Sequence, residues 1–297
     1  MKNSKSGLLY AFAAYGLWGL FPLYWPLLEP ANSIEIVAHR ALWTLVFCAI
    51  VLGFRNEIRS TLSLLKKPKV LLMLSLATIL VSINWLTYIW ATNHGHVVEA
   101  ALGYYINPLV VIGFGTIVFR ERLRKFQIYS VALATIGVLV LTIDVGRPPW
   151  IALTLAASWG SYGVVKKKLG LGSLESLAIE TLVAALPYLI YVLVLANRGT
   201  GEFGKHPKIT ILLMLAGVNT AVPLLFFNSA TIRLPLSVTG LMQYLTPTFQ
   251  FLIGVVIRHE HMSIGRWVGF FVIWGALFLL GTDLLKSSRS INNTLSQ

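Results

Sequence analysis

The chain has 297 residues, of which 56% are hydrophobic and 12% charged, and its mean hydropathy is +0.75. A water-soluble domain carries about 25% charged residues, so a soluble enzyme or binding module is excluded and most of the surface must face lipid. The net charge of +13 would suit a nucleic-acid partner only if the basic residues shared one surface, and their distribution points elsewhere.

Apolar runs of about 20 residues, enough to span a bilayer, recur from end to end. They predict ten spanning helices at 7–28, 34–54, 70–92, 97–119, 127–144, 149–166, 174–196, 209–230, 236–257 and 263–284. The first follows Lys2 and Lys5 as a signal peptide would, but it is too long, lacks a small-residue cleavage site and is followed by further spans. The second carries Cys48, the only cysteine, which excludes an internal disulfide or a thiolate cluster. It also carries His39 and Arg40, about 8–9 Å inside its outer end. In the third, Asn84, Tyr88 and Ala91 share a helix face beside Trp85. The fourth contains Tyr104, Tyr105, Asn107 and Pro108, the proline roughly 16 Å deep and so near the bilayer middle. Small residues Ala132, Ala134 and Gly137 suit the fifth to close packing. The sixth ends on Lys166 to Lys168, the seventh has Glu180 near its inner end, and the ninth holds Gln243, Tyr244, Thr246 and Pro247. Residues 55–69 and 197–208 read as loops, and 287–297 as a disordered cytoplasmic tail.

With the N-terminus in the cytoplasm, 17 Lys and Arg residues fall inside and six outside, with Arg40 left within a span. That bias places both termini in the cytoplasm and accounts for the charge without a nucleic acid.

"ALGYYINPLVVIGFGTIVFRERL" lies over "GLMQYLTPTFQFLIGVVIRHEHM" at an offset of 139 without a gap. Leu102 meets Leu241, Tyr105 meets Tyr244, Pro108 meets Pro247, Gly115 meets Gly254 and Glu121 meets Glu260, while Trp18-Gly19 meets Trp159-Gly160 at an offset of 141. The pattern predicts two five-helix units, residues 1–145 and 146–286, and because five is odd the second is inverted in the membrane. Two similar halves can exchange conformations, which is the basis of alternating access around a midplane site. Pro108 and Pro247 are expected to bend their helices toward that site and free a carbonyl one turn earlier, with Tyr104, Asn107, Gln243 and Tyr244 around the bends. Trp18, Asn84, Trp85 and Tyr88 would add stacking faces and a polar handle. Trp25, Trp90 and Trp150 fit an interfacial aromatic belt.

The intramembrane charges admit two readings. Arg40 either makes an interhelical brace with Glu35 or Glu99, or attracts an anionic group of the cargo while His39 or Glu99 exchanges a proton. Glu180, near Lys166 to Lys168, is either their ion-pair partner or a relay member. Glu121 and Glu260 are expected to pair at the surface with Arg122 and Arg258. His94-x-His96 and His259-x-His261 lack the cysteine or carboxylate company of a metal site, so no metal or cofactor is expected.

"GLWGLFPLYW", "EIVAHRALW", "NWLTYIWATN", "ALGYYINPL", "RPPWIALTLAASWGSYGVVKK" and "TAVPLLFFNSATIRLPLSVTGLMQYLTPT" resemble RarD-type permeases of the EamA family, in the drug/metabolite transporter superfamily. The resemblance covers nearly the whole chain. It implies an all-α integral membrane protein of ten helices in two inverted repeats, residence in a bacterial cytoplasmic membrane, and a small organic metabolite or drug-like cargo. A secondary transporter, with proton coupling and a homodimer both open, is the reading that follows. An uncoupled facilitator is the alternative. A membrane-embedded enzyme is remote, because no H-E-x-x-H, G-x-S-x-G or cofactor loop occurs.

Overall fold

Helix boundaries follow proline, glycine and capping side chains. The computed structural model describes residues 2–119, 123, 125–234 and 236–295, and every regular element among them is helical. The first half comprises α1 (Lys2–Gly19), α2 (Phe21–Tyr24), α3 (Ser33–Phe54), α4 (Ile58–Ser63), α5 (Pro68–Asn93), α6 (Val97–Phe119) and α7 (Lys125–Val145). The second comprises α8 (Trp150–Leu169), α9 (Ser173–Asn197), α10 (Pro207–Thr231), α11 (Leu236–Met242), α12 (Leu245–Leu252) and α13 (Ile264–Leu295). A π-helical turn, Ile253–Ile257, extends α12. Asn32 caps α3 by accepting the Glu35 amide at 2.9 Å. Pro68 and Pro207 open α5 and α10, where a missing N–H costs nothing. Gly170, at φ +60°, closes α8.

Among the described residues seven helices are long and apolar enough to cross a membrane, or eight if the bent pair Lys5–Gly19 and Phe21–Leu28 is one span. Two of the ten expected spans therefore fall short. The last turn of α8 carries Lys166, Lys167 and Lys168, and the ninth expected span is broken between α11 and α12. The first expected span is bent by 41° where Gly19 and Leu20 precede Pro22 and Pro26. At the other end α13 runs to Leu295, into the stretch expected to be a tail. No Gly or Pro follows Gly281 to stop it.

Large apolar side chains cover the outside, among them Leu72, Ile143 and Phe278, each at least 73% exposed. Glu35, Arg40, Asn84, Glu180 and Gln250 lie inside at no more than 4%. This inversion of the soluble pattern is what a lipid solvent selects. The helices pack in a pattern that survives exchange of the halves. α7 packs along α13, α3 along α9 and α6 along α12; α1 lies on α10 as α8 lies on α5, α6 on α8 as α12 on α1, and α3 on α10 as α9 on α5. Replacing α1, α3, α5, α6 and α7 by α8, α9, α10, α12 and α13, and the reverse, returns the same pairs. Close approach is bought with glycine: a Cβ on Gly137 of α7 would sit 2.6 Å from Ile273, and one on Gly103 of α6 would sit 2.8 Å from the Ala152 carbonyl oxygen.

Candidate functional site

Nine of these helices surround a central cavity of about 370 Å³. From the first half come Tyr15 and Trp18 of α1, Phe21 of α2, Arg40 of α3, Asn84, Trp85 and Tyr88 of α5, and Tyr104 and Asn107 of α6. The second half adds Trp159, Tyr162, Gly163 and Lys166 of α8, Ser173 at the start of α9, and Leu224 and Phe227 of α10. Gln243, at the break between α11 and α12, and Thr246, Pro247 and Gln250 of α12 complete the wall. Among the described residues, α7 and α13 contribute none to it.

Among the residues expected along a pathway, Trp18, Asn84, Trp85, Tyr88, Tyr104, Asn107, Gln243 and Pro247 line this one cavity. Pro108 and Tyr244 do not. The α6 helix continues unbroken through Pro108, whereas the matching segment is interrupted at Gln243–Tyr244. That break places Pro247 in the first turn of α12, where the N–H it lacks would have no helical partner. The Gln243 carbonyl, which Pro247 would clash with in a continuous helix, accepts the Thr246 amide at 3.3 Å instead. Tyr244 turns away to pack with the cluster around α6 and α13. Replacing Pro247 by Ala lets residue 247 bond the Gln243 carbonyl and fuse α11 with α12. Transport should fall while stability in detergent, read by thermal unfolding, holds or rises by less than the roughly 3 kcal/mol of an interior proline. Unchanged uptake by P247A in proteoliposomes would remove the break from the mechanism.

Asn84 is the hub of the polar wall. Its Nδ2 donates to the Leu155 carbonyl and Ser158 Oγ, both at 3.1 Å, and its Oδ1 accepts the Tyr104 hydroxyl at 3.1 Å. Arg40 has neither expected acidic partner. Glu35 accepts the Glu202 and Phe203 amides at 2.7 and 3.2 Å, and Glu99 takes Arg147 and the Ile151 amide, both at 3.1 Å. The guanidinium lies among aromatic rings instead, 4.0 Å from the centroid of Trp85, 4.9 Å from Trp25 and 5.7 Å from Phe21, and its Nε donates to Thr220 Oγ1 at 2.7 Å. Trp25 is fully buried here and does not serve an interfacial belt. His39, on the same helix, faces away from the cavity and stacks on Phe203 at 4.5 Å.

Glu180 is fully engaged. Its Oε1 meets Lys166 Nζ at 2.7 Å and the Ser176 hydroxyl at 2.7 Å, and its Oε2 accepts Tyr162 at 3.0 Å. Glu260 makes no surface pair with Arg258. Its carboxylate accepts the Val97 and Val98 amides at 2.5 and 2.9 Å, capping α6, while Arg258 donates to the Pro22 carbonyl at 3.3 Å. Burial pushes the Glu260 carboxyl up, and the two amides and the Arg266 and Arg258 charges pull it back. Burial lowers His96, which stacks with His94 on Trp90. Glu121 and Arg122 lie outside the described residues. Tyr15, Phe21, Trp159, Tyr162, Lys166, Ser173 and Gln250 were not expected at the site. Trp159 carried a signal, being the repeat partner of Trp18.

The EamA-like transporter family model matches the chain twice, over residues 5–143 and 148–282. The chain belongs to the EamA-like transporter family. It is 50% identical over 97% of its length to protein RarD of Streptomyces exfoliatus, covering 91% of that protein. Within the family it is a RarD-type permease. It is 42% identical to the uncharacterized transporter YojE of Bacillus subtilis over 97% of both chains. A crystal structure sharing 18% identity superposes with a TM-score of 0.62 over 93% of this chain and 97% of its own, so this EamA fold has an experimental counterpart.

Proposed function

We propose that the protein is a secondary transporter moving a small organic metabolite or drug-like molecule across a bacterial cytoplasmic membrane by alternating access. Ten helices would span the membrane in two inverted repeats, 1–145 and 146–286, with both termini cytoplasmic. The observation that carries this reading is one cavity of aromatic and polar side chains bounded by both halves, in a fold whose main helix pairs map onto one another when the halves are exchanged. The double family match, divided between residues 143 and 148, supports the same boundary.

The cavity wall also suggests which state this is. In the proposed topology Lys166 and Ser173 lie at the cytoplasmic end, and the lining runs down to them. The opposite ends are fastened by Glu35 to the Glu202 and Phe203 amides, Glu99 to Ile151 and Arg147, and Glu260 to Val97 and Val98. That is the arrangement of a carrier closed outside and accessible inside. Because Glu99 and His39 are turned away from the cavity, Arg40 is the member of the proposed charge set that meets cargo, and Glu180 adjoins it through Lys166.

Purified protein in proteoliposomes, assayed for solute uptake with and without an imposed proton gradient, tests this function. Gradient-driven accumulation is expected. Equilibration without accumulation would instead establish an uncoupled facilitator. A reporter after Gln297 that is active only in the periplasm would overturn the topology.

A further inference from the structure

The cavity contains an unbalanced charge. Arg40 is 4% exposed, and among the described residues no carboxylate reaches it. Of the five N–H donors of a guanidinium, only Nε–H has a protein acceptor among the described residues, Thr220. The rings of Phe21, Trp25 and Trp85 offset part of the desolvation, but flat aromatic faces leave the in-plane donors unused. The other cation on the wall, Lys166, is already neutralised by Glu180. One cationic fork is thus built into the cavity and kept clear of protein anions.

A second set of groups points to the rest of the ligand. Asn107 Oδ1 and Gln250 Oε1 are buried without a hydrogen-bond partner, and both residues line the same cavity at no more than 8% exposure. Buried polar atoms in native proteins are satisfied in the great majority of cases, and those on a binding wall are satisfied by what binds. These acceptors call for donors. Trp18, Trp85 and Trp159 supply apolar faces between the polar groups.

We propose that the cavity recognises a small monocarboxylate bearing a second polar group that donates hydrogen bonds, with Arg40 holding the carboxylate. A planar guanidinium pairs with a carboxylate through two parallel N–H bonds, a geometry that neither a neutral amide nor an amine can reproduce. The donor group, a hydroxyl or an ammonium, meets Asn107 Oδ1 and Gln250 Oε1, and the body of the molecule lies against the indoles. The inference rests on the transporter reading for its biological meaning, but recognition itself is measurable without transport.

The test is direct binding to detergent-purified protein by calorimetry, using matched probes. In the aromatic set, 3-phenyllactate and phenylalanine carry both features, 3-phenylpropionate only the carboxylate, and phenethylamine only the donor. In the aliphatic set, 2-hydroxyhexanoate is compared with hexanoate and hexylamine. Within at least one set the bifunctional acid should bind, the plain acid at least about tenfold more weakly, and the amine not at all. Arg40→Gln should weaken the acid by about thirtyfold or more, the size typical of truncating one side of a buried charge pair. Arg40→Lys should recover part of that. If Arg40→Gln does not fold, the wild-type ranking still decides. Equal binding of amine and acid, or no acid bound in either set, overturns the proposal. A carboxylate that binds but is never moved in proteoliposomes would leave recognition standing and remove the transporter reading. Uptake of amines or neutral solutes with no acid bound would do the reverse.

Discussion

Replacing Lys166 by Met should destabilise the protein by about 3–5 kcal/mol, the range seen when one partner of a buried ion pair is removed. The Glu180 carboxylate is 1% exposed and has Lys166 as its one cation within salt-bridge distance among the described residues. Ser176 and Tyr162 can still donate to it, but they bring dipoles and no charge. Adding Glu180→Gln should restore most of the loss, because a neutral amide can keep acceptor bonds with both hydroxyls and needs no counter-charge. Thermal unfolding in detergent of the single and double variants checks this. A Lys166→Met protein as stable as wild type would mean that water or lipid headgroups reach Glu180 and that the pair is decorative. The pair also stands where the cavity meets the cytoplasmic end in the proposed topology. A stable but inactive double variant would therefore separate a transport role from a structural one.

The sequence made the central residues visible through two different signals. Constant repeat offsets drew attention to Trp18, Pro247 and their neighbours, and intramembrane polarity singled out Arg40 and Asn84. Both signals report depth along a helix, and neither reports which way a side chain points. Pro108 and Pro247 demonstrate the difference. They match at one offset, yet α6 continues unbroken through the first, and a break before the second turns Pro247 onto the cavity. The distinction lies in what precedes each proline, and a one-residue change in helical phase is about 100° of rotation.

Of the two readings of Arg40, the brace fails for a related reason. Glu35 and Glu99 sit at suitable depths, so a brace was a fair expectation. Each carboxylate instead serves amides at the start of a neighbouring segment or a loop, partners 52 to 168 residues away whose proximity only tertiary packing creates. The cage was hidden as well. Trp25 stands at the end of an apolar run, where a belt residue belongs, and only the 41° bend after Gly19 carries it inward over Arg40. The Lys166–Glu180 pair was legible because its members are 14 residues apart across one short turn.

The second large effect concerns Gly217 of α10. A Cβ there would lie 2.3 Å from the Trp43 carbonyl carbon and 2.5 Å from the Thr44 amide nitrogen, both backbone atoms of α3 that no rotamer change can move. Gly217→Ala should therefore force α10 and α3 apart, at a cost of about 1–3 kcal/mol or more, and Gly217→Leu should give no folded protein. The damage should extend to the site, because Thr220, one turn along α10, holds Arg40 Nε from the same face. Ligand affinity is expected to drop in whatever fraction of Gly217→Ala protein remains folded. Gly113→Ala in α6 is the control. No atom lies within 4 Å of the added Cβ there, so only helix propensity acts, and stability should rise by up to about 1 kcal/mol. Folded yield by size-exclusion chromatography and unfolding temperature in the same detergent distinguish the two. Equal behaviour of Gly217→Ala and Gly113→Ala would mean that α3 and α10 do not pack at backbone contact, and Thr220 would then have no fixed hold on Arg40.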